Sequence, residues 1–291
     1  MDEHLEHTTR QVNGVRLHVV ESGPQGGPPV VLLHGFPEFW YGWRHQIGPL
    51  AEAGFRVIAP DQRGYATSEK PEGISAYNLD LLADDVAGLI ESSGHARAAV
   101  VGHDWGGVVA WWVAIRHPKL VERLAILNAP HPVAFRRCLR SSPRQLLKSW
   151  YTFYFQIPRL PEAMFRLANW KRLAQSLRST SRPGTFTEAD LDRYRAAWSE
   201  PGAMTSMIHW YRAAMRSQPA LPADVRIHAP TLLIWGAKDQ FLGQNLIAPS
   251  LSYCDQGQLE RIEEASHWVQ LEEPERVNRR LIAFLREGAS R

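Results

Sequence analysis

Cysteine is scarce: Cys138 and Cys254 are the only two in 291 residues. Two thiols make no disulfide framework and no paired metal-ligand spacing. Such sparing use fits a reducing compartment, so a cytoplasmic location is expected. Long apolar runs are also missing; none approaches the ~20 residues needed to cross a bilayer, so no membrane partner is expected. The first residues, Met1-Asp2-Glu3-His4, are acidic where a secretory leader is basic, and no signal peptide is expected. Charge of one sign is lacking too: 33 Lys+Arg stand against 30 Asp+Glu, net +3. No stripe of Lys and Arg alternates with aromatics, which argues against a nucleic-acid partner. Neither His-Glu-x-x-His nor a phosphate-binding glycine loop occurs, so neither metal nor cofactor is expected. Repeats and low-complexity tracts are absent as well. What remains is an ordinary globular composition, 44% hydrophobic and 22% charged, long enough for one large domain or a domain with a sizeable insertion. Tryptophan is the exception. Eleven residues, several near the candidate site below, point to an aromatic-lined cavity.

The chain is organised around Val100-Val101-Gly102-His103-Asp104-Trp105-Gly106-Gly107. Ala98 to Val101 reads as a buried strand of a parallel sheet, and Val108 to Ile115 as a buried helix. Between them lies Gly-x-Asp-x-Gly, the shape of a nucleophile elbow with Asp in place of Ser. A strand that reverses sharply into a helix strains its central residue and crowds the neighbours. Gly102 and Gly106 remove the Cβ atoms that would clash, and Gly107 lets the helix approach the strand. At a helix N-terminus the free N–H groups and the dipole favour a carboxylate. A Ser there attacks carbonyls and leaves an acyl-enzyme; an Asp needs no activating base and attacks sp³ carbon, leaving an alkyl ester. Taken alone, the same residues also fit a glycine-rich turn in which Asp104 merely caps the helix.

Reading in order, Asn13-Gly14 between Val12 and Val15 is a hairpin signal, so the chain opens with antiparallel strands. A Gly/Pro-rich linker leads to the strand Val30–Leu33 and the loop His34-Gly35-Phe36-Pro37-Glu38. Loops at the carboxyl ends of parallel strands are where open α/β sheets place ligands. A helical stretch from Trp43 to Ala53, a strand at Phe55–Ala59, and a turn-rich Asp61–Ser68 follow. Leu79, Leu82, Ala83, Val86, Leu89 and Ile90 recur at helical spacing. After the elbow comes a strand at Leu124–Leu127. This alternation means a parallel sheet with right-handed crossovers. From about Pro132 to Pro222 the rhythm breaks into an Arg-, Leu- and aromatic-rich stretch with helical periodicity, read as an inserted cap. Strand signals resume at Thr231–Trp235 and, weakly, at Gln258–Ile262, and a last helix starts near Pro274.

Gly236-Ala237-Lys238-Asp239 follows one late strand and Ser266-His267-Trp268 the other, on the rim that carries Asp104. Singly, Asp239 reads as a turn former and His267 as a loop histidine among twelve. Together with Asp104 they give the order nucleophile, acid, histidine.

With His34-Gly35-Phe36-Pro37, the elbow, Gly236–Asp239 and Ser266-His267-Trp268 in place, the chain resembles the α/β-hydrolase-fold epoxide hydrolases, from about Arg10 to the C-terminal helix. The resemblance implies an α/β fold: a mostly parallel twisted sheet with helices on both faces and an inserted helical cap. The core is then residues 1–131 and 223–291, and the cap 132–222. It implies that two cap tyrosines hold the epoxide oxygen. Tyr151, in Tyr151-Thr152-Phe153-Tyr154-Phe155-Gln156, and Tyr211, in His209-Trp210-Tyr211-Arg212, match those motifs; Tyr154 is a second candidate for the first. The implied catalytic set is Asp104, His267, Asp239, Tyr151 and Tyr211, with backbone N–H groups of Phe36 and Trp105 as the oxyanion hole. Pro37, Trp105, Phe155, Trp210 and Trp268 are the expected pocket. The implied reaction opens a small-molecule epoxide to a diol with water; a homodimer is left open. One departure stands out. Ala66 replaces the second glycine of the family's Asp-x-Arg-Gly-x-Gly-x-Ser loop, an exchange that is expected to be harmless if φ stays negative there. Two other readings use the same residues. A haloalkane or haloacid dehalogenase also carries an elbow Asp, and the Trp105 indole suits a departing halide; a haloacetate enzyme of that family, however, carries an Arg beside the nucleophile, where this chain has Trp105 and Val108. A non-catalytic receptor on the same fold would bind a small apolar ligand under the cap.

Overall fold

The computed structural model describes residues 5–287; the acidic Met1 to His4 segment lies outside them, as does the side chain of Arg144. Asn13 (φ 46°) and Gly14 (φ 75°) form the tight turn that pairs β1 (Glu6–Val12) with β2 (Val15–Ser22), Val12 facing Val15. Six further strands follow: β3 (Pro29–Leu33), β4 (Arg56–Pro60), β5 (Ala98–His103), β6 (Val121–Leu127), β7 (Thr231–Gly236) and β8 (Gly257–Ile262). The sheet order is β1-β2-β4-β3-β5-β6-β7-β8. The β1–β2 and β2–β4 pairs are antiparallel and the rest parallel. β3 and β5 are buried along their whole length, as strands covered on both faces must be.

Helices α1 (Ile47–Glu52), α2 (Leu79–Ser92) and α3 (Trp105–Arg116) link the early strands. α3 is apolar nearly all round, with Trp111 and Trp112 buried, and it packs on β5, β6 and α2. The expected helix from Trp43 to Ala53 is shorter than that. A 3-10 turn at Trp40–Trp43 precedes α1, because Pro49 has no N–H to give to residue 45 and is tolerated only in a first turn.

Between β6 and β7 run α4 (Pro132–Ser141), α5 (Pro143–Lys148), α6 (Trp150–Tyr154), α7 (Leu160–Thr180, interrupted by non-helical backbone at Leu167–Trp170), α8 (Glu188–Ser199) and α9 (Ala203–Arg216). α10 (Ile247–Leu251), α11 (Val269–Glu272) and α12 (Pro274–Arg286) complete the chain, α12 burying Val277, Leu281, Phe284 and Leu285. Indole and phenol groups of α8 and α9 fasten this insert to the loops below. Trp198 Nε1 donates to Pro37 O (2.6 Å), Tyr194 Oη to Glu38 Oε1 (3.1 Å) and Trp210 Nε1 to Arg63 O (3.0 Å). Among the described residues no helix is long and apolar enough to cross a membrane.

Ala66 departs from the expectation of a negative φ: its φ is +41°. The Asp61–Ser68 loop doubles back on itself, Ser68 Oγ donating to Asp61 O and Lys70 Nζ to both Ala66 O and Ser68 O. These bonds hold an alanine in the left-handed region, a strain of roughly 1–2 kcal/mol.

Candidate active site

Because β3, β5, β6, β7 and β8 run parallel, their carboxyl ends meet on one rim. Asp104 directly follows β5 with φ 50°, ψ −120°, the strained apex of the strand-to-helix turn. Glycines are required around it. A Cβ on Gly102 would lie 2.3 Å from Gly106 O, one on Gly106 2.0 Å from Leu33 O, and one on Gly35 2.5 Å from Asp104 Cβ. The carboxylate therefore rests against the backbone after β3, and the Phe36 N–H donates to its Oδ1 at 2.9 Å. The Trp105 N–H begins α3, where backbone donors have no helical acceptor.

From the other side, His267 Nε2 stands 3.5 Å from Asp104 Oδ2, and His267 Nδ1 2.7 Å from Asp239 Oδ2. Asp239 is fully enclosed: Phe241 N and Leu242 N donate to Oδ1, and Asn128 Nδ2 donates to Oδ2 at 2.7 Å. Burial opposes charge on all three groups. For His267 it is outweighed by Asp239 and then Asp104, which hold the imidazole protonated to about pH 10. Burial likewise opposes ionisation of Asp104 and Asp239, yet His267 and hydrogen-bond donors keep both below the usual carboxylate range. The resting site is an imidazolium between two carboxylates. His267 titrates at 6.5 in an unfolded chain and near 10 in the fold. Its contribution to stability is therefore full below pH 6.5 and lost as pH rises through about 10. The unfolding temperature should fall more steeply over that interval in the native protein than in His267→Gln, as a thermal-denaturation series will measure.

A cavity of about 360 Å³ opens onto Asp104 and is also lined by Trp105, Tyr151, Trp210 and Tyr211. The rings of Tyr151 and Tyr211 meet edge-on, centroids 6.0 Å apart. Burial first, then the Asp104 charge, pushes both phenols well above their ordinary pKa, so both are neutral donors. The Trp105 and Tyr211 rings also meet edge-on, centroids 5.0 Å apart. Tyr154 does not line the cavity.

Three of the expected pocket residues are not on that wall. The Pro37 carbonyl is taken by Trp198, Phe155 is packed between Phe36, Tyr211 and Phe165, and Trp268 packs on Phe186 and donates to Thr180 Oγ1. Each fastens the helical insert to the sheet and so is turned away from the open space.

Two features had no reading in the sequence. Asn128, at φ 44° directly after β6, accepts from Gly236 N and donates to Asp239, tying two strand ends together; an Asn just past a strand was the available signal. Glu38, His103 and Tyr194 form a buried cluster in which His103 bonds Glu38 through Nδ1 and the His267 carbonyl through Nε2, both at 2.9 Å. It fixes the backbone of the imidazole loop from beneath. Among the described residues no group of three His, Cys, Asp or Glu side chains is arranged to hold a metal.

A profile of the alpha/beta hydrolase fold family matches residues 28–274. The chain is 46% identical to AB hydrolase superfamily protein YfhM of Bacillus subtilis, over 94% of this chain and 96% of that one. It is 38% identical to Epoxide hydrolase 4 of Mus musculus, over 96% of this chain and 79% of the relative. Among solved structures, Bacillus megaterium epoxide hydrolase in complex with an inhibitor superposes with a TM-score of 0.86 at 33% identity, covering 96% of this chain and 99% of that one.

Proposed function

The chain belongs to the epoxide hydrolases of the α/β-hydrolase fold, and from that membership we propose that it is a hydrolase acting on ether bonds that converts an epoxide to a vicinal diol through an alkyl ester on Asp104. In the first step Asp104 Oδ2 attacks a ring carbon, the C–O bond breaks, and its electron pair stays on the epoxide oxygen. Tyr151 and Tyr211 meet that charge as fixed donors, and one of them yields its proton. Alkylation also removes the charge of Asp104, one of the two carboxylates that keep His267 protonated. The imidazolium proton then restores the phenol, and neutral imidazole is left to take a proton from water. The resulting hydroxide attacks the ester carbonyl, whose oxygen is the Oδ1 already bonded to Phe36 N–H. Collapse releases the diol and returns the carboxylate and the imidazolium. Residues 132–222 act as the lid that carries the phenols and keeps bulk water out.

One observation carries this reading. A carboxylate, an imidazole and a second carboxylate lie in line, 3.5 Å and 2.7 Å apart, on a cavity that two neutral phenols also line. Over dehalogenation, epoxide opening is favoured by those phenols, because a departing halide needs no acid whereas the oxygen of an opening epoxide does. Incubation with 1,2-epoxybutane should yield butane-1,2-diol, whereas 1-bromobutane should release no bromide; bromide without diol would reverse the assignment. Tyr151→Phe and Tyr211→Phe should each lower kcat by ~10–10³-fold, and the double variant by more, as expected when a transition-state donor is lost. Steady-state rates that match the native enzyme would exclude the phenols from the reaction.

A further inference from the structure

We propose that the enzyme selects epoxides substituted on one carbon only, by a bulky and mainly apolar substituent. This inference rests on the reaction proposed above and adds the substrate class. The cavity extends from Asp104 along α3, past Val108 and Trp112, to Leu82 of α2 and Leu139 of α4. At about 360 Å³ it stands near the small end of ligand sites, which span ~300–1,000 Å³. Exposed lining residues, among them Met215, Gln218 and Leu221, mark where it meets solvent.

The aromatic side chains of this arm have their polar ends committed elsewhere. Trp112 Nε1 donates to Asp80 Oδ1 (2.8 Å) and Trp210 Nε1 to Arg63 O (3.0 Å). The Tyr77 hydroxyl donates to Pro71 O and pairs with Ser206 Oγ, each at 2.8 Å. What these rings offer a substituent is therefore π-face and edge. Between these rings a polar group gives up its water without gaining a partner; the other polar side chains of the wall are Arg136, Ser149, Thr152, Ser217 and Gln218.

On the far side of the nucleophile the rings are already in contact. Phe36 meets Phe155 at 5.6 Å between centroids, Phe155 meets Phe165 at 5.8 Å, Tyr151 meets Phe241 at 5.8 Å and Phe241 meets His267 at 5.1 Å. Phe155 is 3% exposed. An epoxide whose oxygen lies between the phenols can direct one substituent down the arm, but a second bulky group on the other carbon meets this wall. Interiors packed at such contact do not give way without repacking.

The test compares kcat/KM for 1,2-epoxybutane, styrene oxide and trans-stilbene oxide, the last with an aryl group on each carbon. Styrene oxide should exceed trans-stilbene oxide by more than about tenfold, the scale on which steric exclusion from an apolar site discriminates. Val108→Trp, which fills the arm, should lower the styrene oxide to epoxybutane ratio of kcat/KM by about tenfold or more, and Leu139→Trp does the same further out should the first variant fail to fold. Stilbene oxide turned over within tenfold of styrene oxide, or ratios unmoved in a folded arm-filling variant, would overturn the one-armed site while leaving the reaction intact. No diol from any of the three, by folded enzyme, would overturn the reaction and this inference together.

Discussion

Asp104→Ala should lower diol formation by ~10⁴–10⁶-fold, the loss seen when a covalent nucleophile is removed from a catalytic unit. No other group on the cavity can replace it. Asp239 has both oxygens occupied by Phe241 N, Leu242 N, Asn128 and His267, and its side chain is fully buried. Loss of the carboxylate also withdraws one of the charges that raise His267, so the imidazole pKa should drop from about 10, a shift that side-chain NMR can follow. The fold should persist, because α3 and its strands keep their apolar contacts and only the Phe36 hydrogen bond and the His267 ion pair are lost. Circular dichroism and initial rates on one preparation separate the two effects. Folded protein with more than a hundredth of the native rate would argue for direct attack by water.

His267→Gln should stop the reaction at its midpoint. In the proposed reaction, attack on the ring needs the carboxylate and the phenols, which this exchange leaves in place, whereas ester hydrolysis needs a base that glutamine cannot supply. A general base contributes ~10²–10⁴-fold, so the ester should outlive sample handling. Intact-mass spectrometry should then find the protein heavier by the mass of one epoxide, with one equivalent of epoxide consumed and no diol. Full turnover without adduct would remove His267 from the base role. Attack itself should slow a little, since the imidazolium helps keep Asp104 ionised.

How much of this could be read before the structure depended on the range of the interactions. The elbow was legible because its glycines form a compact pattern in the chain: Gly102 must clear Gly106 O four residues on, and Gly106 must clear the end of the neighbouring strand. The sheet was legible because buried strands and α2 carry their period in the sequence. Asp239 and His267 stand at strand ends, and Gly236 lets their loops close, a Cβ there lying 1.9 Å from Ser266 O. The pocket wall was not legible. Pro37, Phe155 and Trp268 stand next to site residues in sequence, but their environment is set by Trp198, Phe36 and Phe186 respectively. No local pattern encodes contacts between elements so far apart along the chain. Ala66 failed for the opposite reason: its φ is decided by how Lys70 and Ser68 close one short loop, and a residue type that tolerates several conformations does not declare which is used.

A single turnover in ¹⁸O-water, with enzyme in excess over epoxide, tests the covalent route most directly. Water attacks the ester carbonyl in the proposed reaction, so the new diol oxygen comes from Asp104 and the label enters the carboxylate that replaces it. The first diol should carry no ¹⁸O, and the proteolytic peptide containing Asp104 should gain 2 Da, the mass difference between the two oxygen isotopes. Label in that first diol, with an unlabelled Asp104 peptide, would contradict the account.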